Sequence, residues 1–143
     1  MSAILLSAHV VAAILAIGPI AVAASMFPRY ARALPGADGS ALPAAAVLHR
    51  ICRAYAAVGL AVPILGMATA VSMGVLTDAW VLVSIALTAA AAVVLIAFVL
   101  PDQRAALDGA RVTRLAMTTG IFNLLWVIVT VLMIVRPGSS TGV

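Results

Sequence analysis

Four long apolar stretches, separated by short polar connections, set the hydrophobic pattern of the chain. Each is long enough to cross a bilayer as a helix, which takes about 20 predominantly apolar residues. They run approximately over Ala3–Phe27, Ala54–Leu76, Ala79–Leu100 and Leu115–Val135. The pattern predicts an all-α integral membrane protein, one domain in which four transmembrane helices form an antiparallel bundle. No positive segment precedes the first stretch, which is too long for a signal peptide, so we expect it to be retained.

The composition also favours a membrane protein. The chain has 143 residues, of which 66% are hydrophobic and 8% charged, whereas soluble domains carry about 25% charged residues. All basic side chains are arginine and all acidic ones aspartate. With so much alanine, this bias is typical of a GC-rich genome such as an actinobacterial one. The single cysteine, Cys52, excludes an internal disulfide.

The arginines predict the orientation of the helices. The first connection carries Arg29, Arg32, Arg50 and Arg53, and the third carries Arg104, Arg111 and Arg114. Positive residues concentrate on the cytoplasmic side, so we expect loops 1 and 3 in the cytoplasm and both termini outside a bacterial inner membrane. The four arginines of the first connection are expected to contact anionic lipid headgroups or an acidic partner surface. Since they lie between apolar segments, the basic charge does not indicate nucleic acid.

Turn and proline signals refine this picture. The second helix is expected to begin near Leu42 and to project into the cytoplasm, where it would carry His49 on a basic face with Arg50 and Arg53. The run Pro35-Gly36-Ala37-Asp38-Gly39-Ser40 predicts a turn before it. A short surface helix is expected after Pro101, ending at Gly109. Either Thr77 or Asp78 could cap the third helix.

Small residues predict how the helices pack. Gly66, Ala70 and Gly74 recur at four-residue spacing and form a smooth face, which suits close helix contact in lipid. Pro63 and Pro19 each free a backbone carbonyl one turn earlier, on Gly59 and Leu15. Freed carbonyls in a bilayer need donors, so we predict that the Asn123 side chain donates to one of them.

His9 is the ionisable residue that lies clearly inside an apolar stretch. It is expected to be a neutral, hydrogen-bonded packing residue, paired with Ser72 or Ser84. The alternatives are a haem or metal ligand and a proton relay. His49 lies near the other face of the membrane, so the two histidines are not expected to share one iron.

Other candidate chemistry is sparse. His49-x-x-Cys52 offers two metal ligands where a closed zinc site needs four. The polar residues Thr119, Asn123, Trp126 and Thr130 could line a ligand cleft or bond across helices. Nucleophile–base pairs and paired carboxylates lack their residues, so we expect neither an enzyme nor a bound cofactor.

Several of these residues, in this order, also carry a resemblance to a known family. They are His9-Val10, Pro28-Arg29, Gly66, Trp80, Pro101 and Met133-x-x-Arg136-Pro137-Gly138. The chain resembles a family of small bacterial integral membrane proteins of unknown function, which implies a four-helix fold and no particular activity. Members often have a Trp and paired glycines late in the first helix, where this chain has Ala16-Ile17-Gly18-Pro19. A weaker likeness to copper-resistance membrane domains rests on the first-helix histidine.

These features favour a non-catalytic accessory or regulatory subunit of a larger membrane complex, such as a lipid transporter or a respiratory assembly. The small-residue faces, the few polar groups in the spans and the lack of a soluble domain motivate this hypothesis. Two alternatives remain open. One is a haem- or metal-binding membrane protein that uses His9, and the other is a small carrier for an apolar or lipidic solute.

Overall fold

Four long helices make up the regular structure within residues 2–36 and 39–139, which the computed structural model describes. The first is α1, Ser2–Ala33, and the second consists of α2, Ala41–Gly59, and α3, Ala61–Met73. The third joins α4, Ala79–Val93, through a π-helical segment, Val94–Val99, to α5, Leu100–Leu107, and the fourth is α6, Leu115–Val135. Each of the four is long and apolar enough to cross a membrane, as predicted.

The second helix begins at Ala41 and bends at Leu60. Pro63 has no N–H and cannot bond to the carbonyl of Gly59, so the helix is weakened one turn before the proline. There the Leu60 N–H donates to the carbonyl of Ala57, three residues back, at 3.3 Å. The prediction of a start near Leu42 is confirmed to within one residue. Ala37 and Asp38 of the predicted turn lie outside the described residues.

The third helix differs from its prediction because it continues through Pro101. The Leu100 N–H donates to the carbonyl of Leu95, five residues back, and this wider π turn accommodates a proline that would disrupt α-helical bonding. The expected separate surface helix is therefore the last two turns of this long helix. Its residues Asp102 and Gln103 are buried rather than exposed.

Two helix ends also depart from expectation. Gly74 ends α3 in the left-handed conformation, with φ +70, and a Cβ there would meet nothing within 4 Å. Its role is therefore to terminate a helix, which a residue without a side chain does at little cost. Asp78 precedes α4 in an extended conformation, but its side chain makes no capping bond.

The helices form an antiparallel bundle with one well-filled end. We call this the arginine-rich end: α1 and α5 finish there, α2 and α6 begin there, and residues 34–36, 39–40 and 108–114 lie there. Around the bundle, α1 packs against α2 and α3, α6 packs against α4 and the π segment, and α2 packs against α5. One buried cluster comprises Ile20, Ala23, Ala24, Cys52, Ala91, Leu95, Val99 and Phe122. A second, nearer the arginine-rich end, comprises Phe27, Ala45, Ala106 and Leu115.

Away from that end the bundle separates into two helix pairs. α1 packs with α3 and α4 packs with α6, while α3 and α4 touch little beyond the turn that joins them. Neither buried apolar cluster extends between these pairs at the opposite end. For helices that cross a membrane, lipid would supply no hydrophobic drive for association, and polar contacts and close packing would then hold each pair together.

We predict that Phe122→Ala will destabilise the protein by about 3–5 kcal/mol, because it empties a fully packed site that four helices share. Phe122 is 1% exposed, whereas Leu124 on the same helix is 59% exposed and provides the control as Leu124→Ala. The measurement is thermal unfolding in detergent. Equal losses in the two variants would contradict the placement of the core.

Candidate functional site

His9 is held between α1 and α3. It is 7% exposed, and its Nδ1 lies 2.9 Å from the carbonyl oxygen of Val62. A carbonyl oxygen can only accept a hydrogen bond, so Nδ1 carries the proton that it donates. The ring rests on Gly66, where a Cβ would lie 2.8 Å from His9 Cε1. Glycine at 66 is therefore what lets the imidazole reach the backbone.

The expected serine partners of His9 bond within their own helices instead. Ser72 Oγ donates to the carbonyl of Thr69 at 2.9 Å, and Ser84 Oγ donates to the carbonyl of Trp80 at 2.8 Å. A short hydroxyl in a helix readily reaches a carbonyl three or four residues back. The partner of His9 is consequently a backbone oxygen, and the positions of polar side chains in the sequence do not reveal such a partner.

The predicted small-residue face divides between two roles. Gly66 contacts the His9 ring and Ala70 is 7% exposed, so both lie in the packed part of α3. Gly74, expected on the same face, makes no such contact because α3 has already ended there. The small-residue face thus comprises Gly66 and Ala70, without the Gly74 that the four-residue spacing predicted.

A second buried polar cluster lies at the arginine-rich end, and we call it the Gln103 network. Gln103 is fully buried; its Oε1 accepts from His49 Nδ1 at 3.0 Å, and its Nε2 donates to Cys52 Sγ at 3.5 Å. The glutamine therefore connects α5 to two successive turns of α2. Its position on the face shared by Val99 and Ala106 was the sequence signal for burial, and Pro101 obscured it by suggesting that the helix had ended.

The Gln103 network corrects the prediction that His49 belongs to an exposed basic face. His49 is 9% exposed. Of the three residues predicted on that face, Arg50 and Arg53 alone are exposed. His49 and Cys52 do lie on one face of α2, as their spacing predicted for two metal ligands, and both contact Gln103. Within the described residues, however, no group of three or more His, Cys, Asp or Glu side chains could hold a metal ion.

Asp102 and Arg114 form a two-pronged ion pair that joins α5 to the start of α6. Arg114 Nε and Nη2 donate to the two carboxylate oxygens at 2.8 and 2.9 Å. The guanidinium also lies 5.6 Å from the centre of the Phe98 ring. The hydrogen bonds that Arg114 donates to Asp102 and the negative charge of that carboxylate raise the pKa of the Arg114 guanidinium, which stays protonated at every physiological pH.

Asn123 does not reach a carbonyl freed by proline. Its Nδ2 donates to Ser25 Oγ on α1 at 2.9 Å, because α6 lies beside α1 and α4 and is diagonal to the helix that contains Gly59. Thr130, expected on the same polar face, bonds the carbonyl of Trp126 on its own helix. Among the described residues, the buried Thr119 Oγ1, Asn123 Oδ1 and Trp126 Nε1 have no hydrogen-bond partner.

At the opposite end, Trp80 joins the start of α4 to the end of α6. Its Nε1 donates to Asp78 Oδ2 at 3.1 Å, and the Arg136 guanidinium lies 5.6 Å from its ring centre. Arg136 is left-handed, with φ +46, and its Nε donates to the carbonyl of Met133. Two pairs of residues that carry the family resemblance, His9 with Gly66 and Trp80 with Arg136, are thus pairs in space.

Comparisons with protein-family models, curated proteins and solved structures found no match to this chain. The family resemblance therefore stays a prediction. What the geometry itself offers is a set of interhelical polar contacts: His9 to Val62, the Gln103 network, Asp102 to Arg114, and Asn123 to Ser25.

We predict that Gly66→Ala will be destabilising by about 1–2 kcal/mol relative to Gly120→Ala. The new methyl group forces the His9 ring away and breaks its hydrogen bond, whereas a Cβ at Gly120 meets nothing within 4 Å. Both changes gain the same helix propensity, so the difference reports the contact. The measurement is thermal unfolding in detergent.

The same series includes His9→Ala with and without Gly66→Ala. If the ring is what the methyl group meets, Gly66→Ala will cost little in the His9→Ala background. A cost that is the same in both backgrounds would show that Gly66 acts independently of His9.

We predict that Gln103→Leu will lower stability by about 1–3 kcal/mol, because the buried His49 Nδ1–H loses its acceptor. Arg104→Leu, on the exposed neighbour, is the matched control. Adding His49→Leu to Gln103→Leu should recover part of the loss, since no buried donor is then left unpaired. Thermal unfolding of the four proteins measures this, and identical melting temperatures for the two single variants would refute the role of the network.

Proposed function

We propose that the chain is a multi-pass protein of a bacterial inner membrane, with the arginine-rich end in the cytoplasm and both termini outside. Four helices long and apolar enough to cross a membrane support this placement. Seven of the eight arginines lie in the half of the bundle that includes the arginine-rich end, and Arg136 lies at the opposite end. Such an excess of positive charge is typical of the cytoplasmic side.

Within that membrane, the chain serves as a non-catalytic accessory or regulatory subunit of a larger integral-membrane complex. The candidate residues for chemistry support this reading, because the described contacts of His9, His49 and Asp102 link one helix to another. The His9 ring lies against Gly66 and a backbone carbonyl rather than in an open cavity. These side chains stabilise a compact scaffold.

The observation that carries the proposal is an unpartnered face of small residues on α4. Ala86 and Ala90 are exposed and lie along one side of α4 with Val93, and the exposed Ala97 follows about one turn later in the π segment. The opposite side of α4 carries the buried residues of this helix, including Ser84, and packs toward α6. We call it the α4 alanine face.

Such a face suits a transmembrane helix of another protein. Small side chains let two backbones approach closely, and this packing replaces the hydrophobic drive that lipid does not provide. The other small-residue face of the chain, around Gly66, is already covered by α1. A lipid transporter or a respiratory assembly would supply suitable partner helices.

The carrier hypothesis finds less support in the shape of the molecule. One surface groove, about 670 Å³ in volume, opens along a single helix, α3. It is lined by Pro63, Ile64, Met67, Ala68, Val71 and Ser72. A groove on one helix does not provide a path between helices for a solute.

The test is purification of the tagged chain from native membranes in mild detergent, with quantitative mass spectrometry of the proteins that accompany it. We expect a defined set of integral-membrane proteins, reduced at least fivefold by Ala86→Leu combined with Ala90→Leu, because two isobutyl groups hold the partner helix away. Ala68→Leu, an exposed alanine on α3 at similar depth, is the control and should change nothing. Recovery of the chain alone, or equal losses with Ala68→Leu, would overturn the proposal.

A further inference from the structure

A second apolar groove, about 350 Å³ in volume, lies between α1 and α2 at the arginine-rich end. It is lined by Met26, Tyr30, Pro43, Ala44, Val47 and Leu48. Met26 and Val47 are 44% and 52% exposed, so the groove opens at the surface. Its position, near the last turns of α1 and the first turns of α2, is where a spanning bundle meets the headgroup layer.

Two of the four arginines of this region flank the groove. Arg29 follows Met26 by three residues and Arg50 follows Val47 by three, and residues at that spacing are neighbours on a helix surface. Arg32 and Arg53 each lie six residues beyond the same lining residues. They are therefore about a third of a turn around the helix from Met26 and Val47, twice the angle of Arg29 and Arg50. The groove therefore distinguishes one pair of arginines from the other.

The antiparallel arrangement brings the two flanking side chains toward each other. The Cα–Cβ bonds of a helix tilt toward its N terminus. Arg29 on α1 consequently leans toward the middle of the bundle, whereas Arg50 on α2 leans toward the arginine-rich end. Both are exposed, and no described carboxylate lies within 4 Å of either guanidinium. The groove thus combines an apolar lining with two exposed arginines, each within one helical turn of a lining residue.

The geometry points to a site for one anionic phospholipid, with its phosphate between Arg29 and Arg50 and the adjoining part of an acyl chain in the groove. Arginine suits this role because its planar guanidinium binds phosphate oxygens in pairs. Tyr30 lies in the groove wall, at the depth where aromatic rings settle among headgroups. The inference requires membrane insertion but not the partner complex, so either can fail without the other.

The chemistry excludes the simpler occupants of such a groove. A free phosphate ion would meet the two arginines but would leave the apolar floor uncovered. A zwitterionic lipid would fill the floor but carries a cation near its phosphate, which the arginines repel. An anionic phospholipid such as phosphatidylglycerol satisfies both features together.

The test is native mass spectrometry of the full-length protein in detergent, titrated with phosphatidylglycerol, phosphatidylethanolamine or inorganic phosphate. We expect saturable binding of one phosphatidylglycerol and much weaker binding of the other two. Arg29→Gln combined with Arg50→Gln should weaken it about 25-fold, since each arginine near an anionic surface contributes roughly a fivefold gain. Ala44→Trp, which fills the groove without changing charge, should weaken it comparably.

The matched control is Arg104→Gln combined with Arg111→Gln, which removes the same charge from the same end of the bundle but away from the groove. This control should bind phosphatidylglycerol as the unmodified protein does. Melting temperatures of all variants establish that they are folded. Equal weakening by the control, full binding by folded Ala44→Trp, or equal affinity for phosphatidylethanolamine would each overturn the assignment.

Discussion

Polar groups inside a bilayer must find their partners within the protein, because the hydrocarbon offers no hydrogen bonds in their place. Any buried polar group is under a similar constraint, and in this chain it acts most clearly at Gln103, which is fully buried and bonds to His49 and Cys52 at once. If the third helix ended at Pro101, His49 and Cys52 on α2 would lose Gln103 as their partner. The π turn before Pro101 therefore does more than accommodate a proline, since it extends the third helix far enough to complete the network. The Asp102–Arg114 ion pair then sets where α6 begins relative to α5.

The same constraint explains why the two ends of the bundle differ. At the arginine-rich end, apolar clusters around Phe122 and Phe27 are joined by the Gln103 network, so four helices pack together. At the opposite end each helix pair has its own polar link. His9 binds α1 to α3, and Trp80 with Arg136 binds α4 to α6. If the helices cross a membrane as proposed, apolar contact in lipid gives little net gain, and helix pairs without a shared polar contact have little reason to close on each other.

Much of the fold could be predicted from the sequence, because helix length, proline breaks and arginine placement depend on local composition. The start of the second helix and the weakness before Pro63 are examples. The hydrogen-bond partners of the polar side chains were harder to predict, since they depend on which helices become neighbours. Asn123 was predicted to donate to a carbonyl freed by Pro63 or Pro19, and it bonds Ser25 on α1 instead. His9 illustrates a second limit: its partner is a backbone oxygen, made reachable by the missing side chain of Gly66.

The two surfaces proposed for interaction are compatible with each other. α4 and α1 are not neighbours in the bundle, and the seam between α1 and α2 lies away from the α4 alanine face. A partner helix on α4 would therefore leave the groove between α1 and α2 facing the lipid. The two also differ in what they can recognise. The alanine face is uncharged and suits backbone contact deep in the membrane, whereas the groove pairs an apolar floor with Arg29 and Arg50. If both proposals hold, the protein would bind a partner helix on one side and an anionic lipid on the other without moving its helices.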